Sequence, residues 1–173
     1  MSAPICGLIG AMGSGKTTVG ELAAARLGVD LLDTDHVVEQ RAHKSVPDIF
    51  IEDGEAAFRE LERNAVAWAL ENHEGVLSLG GGAVLDPATQ VLLAAHHVVF
   101  LRVGLSEAVK RVGLGVGRPL LLGNVRSRVK KILDERASVY QGLARVTVDT
   151  DERSPDEVAD DVLAAIASVE EDS

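Results

Sequence analysis

Apolar runs of five to seven residues alternate along the chain with longer stretches in which apolar positions return every three or four residues. The runs near residues 4–9, 29–33, 75–79, 97–103 and 145–149 predict strands. The periodic stretches near 15–28, 36–43, 54–73, 87–95, 105–112, 124–141 and 155–169 predict helices. Short apolar strands separated by helices imply parallel strands joined by right-handed crossovers, an α/β sandwich. Two helix starts are marked chemically. Asp86-Pro87 supplies an N-cap followed by proline, and Ser154-Pro155-Asp156-Glu157 adds the glutamate of a capping box. In "EAAFRELE" and beyond, Phe58, Leu61, Ala65 and Trp68 recur at helical spacing and are expected to face the core. No repeat or linker divides the chain, so residues 1–173 are expected to form one domain.

Composition narrows the class. The chain is 46% hydrophobic with only 5 prolines, which suits a packed core. The single Cys6 excludes an intrachain disulfide and reads as core. The first ten residues lack the basic lead of a signal peptide, and no run reaches membrane-spanning length, so a cytoplasmic protein is expected. A net charge of −10 argues against nucleic-acid binding, but the charge is segregated. Residues 149–173 hold ten acids and one base, the pattern of a solvated helix face, whereas residues 102–136 hold nine bases and three acids and suit an anionic ligand.

Residues 10–17 read "GAMGSGKT", the pattern G-x-x-x-x-G-K-[ST]. Glycines let several backbone N–H groups converge on phosphate oxygens, and the following helix adds its positive end. Lys16 can reach the outer phosphates and the Thr17 hydroxyl can ligate Mg²⁺. Chance would give the pattern on the order of 0.004 times in a chain of this composition. A strand before it and a helix after it complete the context of a nucleoside triphosphate site.

The stretch "LLDTDHVV" places Asp33 and Asp35 after the second strand. If that strand is parallel to the first, both carboxylates open onto the edge that carries the phosphate loop. An extended backbone would point them the same way, Asp33 toward the water shell of Mg²⁺ and Asp35 toward an acceptor hydroxyl. The alternative is that one of them only caps the helix beginning near His36.

At this point the sequence resembles the shikimate kinases, through "GAMGSGKTTVG", "LLDTDHVVE", "IEDGEAAFRELE", "LSLGGGAVL", "GRPLL" and "RASVY" in that order over roughly residues 5 to 165. The resemblance implies a three-layer sandwich around a five-stranded parallel sheet of order 2-3-1-4-5, as in nucleoside monophosphate kinases. It also implies a shikimate-binding segment about 34–62 and a mobile lid about 112–124. The implied reaction moves the ATP γ-phosphate to the 3-hydroxyl of shikimate with Mg²⁺ as cofactor, in chorismate and aromatic amino-acid biosynthesis. ATP is expected on Gly13, Ser14, Gly15, Lys16, Thr17 and Thr18, with Arg111, Arg153 and Pro155 around the adenine and Arg118 as the lid arginine. Shikimate is expected on Asp35, Arg59, Gly80, Gly81, Gly82 and Arg136. Lys16, Asp35 and Arg118 are the implied catalytic groups, and Thr17 and Asp33 the metal ligands, Asp33 through water.

Several of these positions have a plainer reading. Arg59 is flanked by Glu55 and Glu62 at helix-pair spacing, so it is either a surface salt bridge or an arginine held to clamp a carboxylate. Residues 80–82 are either a tight turn or bare backbone for a polyol to approach. Gly113, Gly115 and Gly117 with Arg118-Pro119 make either a hinged lid or a surface loop. Phe50 and Phe58 are either walls of the acceptor site or core, and the five histidines show no ligand spacing. Ser138 stands where the family usually has proline. Two rival functions remain: a gluconate-type sugar-acid kinase, and a nucleotide-binding regulatory module without catalysis. A monomer is expected, with no protein partner indicated.

Overall fold

The structure, a computed structural model, describes the backbone of residues 3–116 and 122–171 and the side chains among them except 112–116, 122–124 and 170–171. Five short strands, β1 (Cys6–Ile9), β2 (Leu31–Asp33), β3 (Val76–Ser78), β4 (Val98–Arg102) and β5 (Val146–Asp149), form one parallel sheet of order β2-β3-β1-β4-β5. This is the expected architecture. The helices are α1 (Lys16–Leu27), α2 (Thr34–Ala42), α3 (Val46–Glu52), α4 (Glu55–Asn72), α5 (Pro87–Leu93), α6 (Leu105–Val116), α7 (Leu122–Leu143) and α8 (Pro155–Glu171), with a 3-10 turn at Ala83–Leu85.

Strand alternation divides the core into two layers. Ile9, Leu77, Leu79, Val98 and Phe100 pack on one face with Val66, Leu70, Leu93 and Tyr140 from α4, α5 and α7. Cys6, Leu8, Val76, Val99 and Leu101 pack on the other with Val19, Ala23, Val158 and Val162 from α1 and α8. A smaller cluster, Val37, Val38, Ile49, Phe58 and Ala65, holds α2, α3 and α4 together beside the sheet.

Both marked helix starts form. Asp86 accepts hydrogen bonds from the N–H groups of Ala88 and Thr89, and Ser154 and Glu157 cap each other reciprocally. One helix is added and two expectations are corrected. The stretch 46–52 is helical: Ser45 accepts from the Asp48 N–H and Pro47 stands in the first turn. Trp68 is 43% exposed with the Arg41 guanidinium 5.2 Å over its ring. Ten residues after Phe58 it lies about 80° around the helix from it, while Glu62, Val66, Ala69 and Leu70 complete the buried stripe. The backbone is not extended through Asp35, because α2 begins at Thr34 and Asp33 is its N-cap, accepting from the Asp35 N–H at 2.8 Å. The acidic tail is otherwise as expected: α8 buries its apolar stripe, and Asp156 and Asp160 pair with Arg26 of α1.

Candidate active site

All five strands are parallel, so their C-terminal ends share one edge, and the chain places its chemistry there. Beyond β1, Gly13 (φ 83°) and Gly15 (φ 87°) adopt left-handed conformations that bend the loop into the start of α1. Lys16 folds back over the loop, donating to the carbonyls of Gly10 at 2.6 Å and Ala11 at 3.3 Å. Burial lowers its pKa to about 8, against the opposing pull of Asp33 and Asp35. The buried Ser14 hydroxyl has no protein partner among the described residues, and the Ser14 N–H donates to the Ala11 carbonyl at 3.1 Å.

A cavity of about 540 Å³ opens beside this loop, lined by both aspartates, Lys16, Thr17, Arg59 and Arg136, with the glycines 80–82 at its side. Its apolar wall includes Phe50, Phe58 and Ile132, the two phenyl rings standing 4.7 Å apart. Asp35 and Lys16 are therefore on the same rim of the sheet. Burial raises the Asp35 pKa, Asp33 raises it further, and Lys16 opposes. Among the described residues its buried Oδ1 has no protein hydrogen bond.

The glycines 80–82 back directly onto the charged side chains. A Cβ on Gly80 would stand 2.7 Å from Asp35 Oδ1 and 3.2 Å from Glu62 Oε2, and one on Gly82 would stand 2.7 Å from both terminal nitrogens of Arg59. The three glycines thus make room for the charged rim. The Gly80 N–H is already used, donating to Thr34 Oγ1 at 3.0 Å. Among the described residues those of Gly81 and Gly82 have no protein acceptor.

Arg59 is more than a surface pair. It bonds Glu62 at 2.7 Å, and Glu62 is only 3% exposed, while its contact with exposed Glu55 is looser at 3.8 Å. Burial raises the Glu62 pKa, with the Arg59 hydrogen bond opposing. Thr34 and Tyr140 are site-building residues that the motif reading missed, whereas Glu62 was expected as a partner of Arg59 but not as a buried one. The signal for Glu62 was its place in the apolar stripe, one turn after Phe58.

On the other side of the phosphate loop a second cavity of about 310 Å³ is lined by Gly15, Thr18, Arg111, Arg153 and Pro155. Arg111 donates to the Gly13 carbonyl at 2.6 Å, and Arg153 is held by the Asp149 carbonyl and by Asp161. The loop therefore separates two sites and borders both. Of the expected lid, residues 112–116 are the end of α6 and 122–124 the start of α7, while 117–121, with Gly117, Arg118 and Pro119, lie outside the described residues.

Thr17 and Asp33 line the same cavity. A hydroxyl and a carboxylate are the hard oxygen donors that suit Mg²⁺, which takes one or two protein ligands and completes its shell with phosphates and water. The residues present fit the ion.

Sheet order, phosphate loop and an acidic pair on one rim define a P-loop kinase. The shikimate kinase family model matches residues 12–167. A shikimate kinase of Thermobifida fusca (strain YX) is 58% identical over 92% of this chain and 92% of its own length. The solved shikimate kinase of Acinetobacter baumannii, in complex with shikimate, superposes with a TM-score of 0.87 at 30% identity, covering 97% of this chain and 94% of that one. A gluconokinase of Sinorhizobium meliloti 1021 follows the same fold at TM-score 0.64 and 19% identity, covering 96% and 93%. The chain belongs to the shikimate kinase family.

Proposed function

We propose that the chain transfers the ATP γ-phosphate to the 3-hydroxyl of shikimate, with the adenine in the smaller cavity and the acceptor in the larger. The observation that carries the reading is the larger cavity itself: one buried carboxylate, two guanidinium groups and an apolar wall converge beside Lys16. Arg59 and Arg136 hold the acceptor carboxylate from two directions. The Phe50 and Phe58 wall suits the flat face of a ring better than an open-chain sugar acid, which favours shikimate over gluconate. The unpaired Asp35 oxygen accepts the hydroxyl, orients it and takes its proton, a role helped by a pKa raised above the ordinary carboxylate range. Lys16, with Arg118 from the lid, neutralises charge on the transferring group.

Thr17 and, through water, Asp33 would hold Mg²⁺, which supplies charge neutralisation at the phosphates. Asp33 does this while capping α2 with one oxygen, leaving the second for the metal's water shell. The backbone around Ser14, Gly15 and Thr18 cradles the triphosphate. Among the described residues no helix is long and apolar enough to cross a membrane, and we place the protein in the cytoplasm as a monomer.

The deciding experiment is ADP release at fixed Mg²⁺–ATP with shikimate, with gluconate and with neither. Release that depends on shikimate supports the reading. Release with gluconate alone overturns it in favour of the sugar-acid kinase, and ATP binding without acid-dependent release favours the regulatory module.

A further inference from the structure

Three consecutive glycines form a loop with no side chain of its own to fix its peptide planes, yet this loop borders the acceptor cavity. The Gly80 and Gly82 carbonyls accept locally from the N–H groups of Ala83 and Leu85, but the peptide joining Gly81 to Gly82 has no such tie within the loop among the described residues. Tyr140 of α7 is 1% exposed beneath it, ring stacked on Phe100 with centroids 5.0 Å apart, and its hydroxyl donates to the Gly81 carbonyl at 2.7 Å. That carbonyl and the Gly82 N–H belong to one planar trans peptide and point in opposite directions. Drawing the carbonyl down onto Tyr140 therefore turns the Gly82 N–H away from the core. The same hydroxyl interacts with the Arg136 guanidinium, one helical turn earlier. Arg136 Nη1 and Tyr140 Oη lie 3.4 Å and 3.8 Å from the point where a Cβ on Gly81 would be.

We propose that Tyr140 is a positioning residue for acid recognition: its hydroxyl sets the plane of the peptide joining Gly81 to Gly82 and backs the Arg136 guanidinium, so that both face the acceptor. The plainer alternative is a core tyrosine whose hydroxyl has merely found an acceptor. The inference rests on the larger cavity being the acceptor site.

Tyr140→Phe keeps the ring and its stacking while removing the hydroxyl. The KM for shikimate should rise about three- to tenfold, the worth of one hydrogen bond, with the KM for ATP unchanged. Leu93→Val, in the same core layer, should lower the Tm and leave both KM values alone. An unchanged shikimate KM in Tyr140→Phe, an equal rise in both KM values, or a rise in Leu93→Val as well overturns the assignment. Because the chain has a single tyrosine, 3-fluorotyrosine labels this position alone and serves even if the phenylalanine variant fails to fold. Its ¹⁹F resonance should move on adding shikimate without nucleotide, and a line that stays put overturns the assignment too. A wild-type chain that neither binds nor phosphorylates shikimate overturns the functional reading, whereas wild-type turnover with unaffected Tyr140 readouts sinks this assignment alone.

Discussion

Asp35 and Lys16 show how burial shifts single groups, the carboxyl upward and the ammonium downward. A carboxyl whose folded pKa lies above its unfolded value holds its proton more tightly when folded, so stability falls as pH rises through that interval and stays lower at neutral pH. Asp35→Asn removes that burden together with the proposed proton acceptor. The variant should melt higher than wild type at pH 7, bind ATP nearly as well, and lose on the order of 10²-fold or more in kcat. A kcat within twofold of wild type would remove Asp35 from the chemistry. Lys16 is shifted the other way, to about 8 by burial, so its charge is lost as pH rises through that value. The kcat/KM for ATP should fall along an alkaline limb near pH 8. The corresponding limb of kcat should lie higher, because bound phosphate favours the ammonium. A kcat/KM profile flat to pH 9 would contradict the lowered value.

At the scale of elements, the site is a contact between loops and helices that pattern reading located unevenly. The phosphate loop was legible because backbone physics demands glycine, lysine and a hydroxyl at fixed spacing. The rim around it was legible only through the family resemblance, because spacing alone does not say which side chains the glycines leave room for. Gly82→Ala tests that contact directly. The backbone there (φ −94°) accepts a side chain without strain, but the new Cβ would meet both terminal nitrogens of Arg59 at 2.7 Å. The fold should survive with its Tm within a few degrees while the KM for shikimate rises about tenfold or more. Unchanged kinetics would mean that Arg59 does not hold the acid. The stretch carrying Phe50 escaped as a helix for a related reason. At seven residues it is too short to show periodicity, and only its start, "SVPD", marks it. Asp33 illustrates a further limit, since alternation along a strand says nothing once a helix starts one residue later.

At the scale of the molecule, strand order was legible through family resemblance, while the division of labour between the two sheet faces needed coordinates. The larger cavity is lined from the phosphate loop, the starts of α1 and α2, the glycines 80–82, and α4 and α7, while the acidic α8 packs on α1 against the opposite sheet face. Arg26 joins α1 to α8 through Asp156 and Asp160, both about 70% exposed. Exposed pairs contribute little, so Arg26→Ala should cost less than about 1 kcal/mol in urea unfolding, and the difference should vanish near 1 M salt. A larger, salt-independent cost would mean that the arginine's stem, rather than its charge, holds the helices together. The sheet order has a consequence for the chain as it is made. Of the sheet's five strands, the first to be synthesised ends up in the middle, flanked by two strands that emerge about 70 and about 90 residues later. A nascent chain shorter than that has no flanks for its central strand and cannot hold nucleotide, so the ability to grip ATP must switch on late in synthesis rather than with the motif that encodes it.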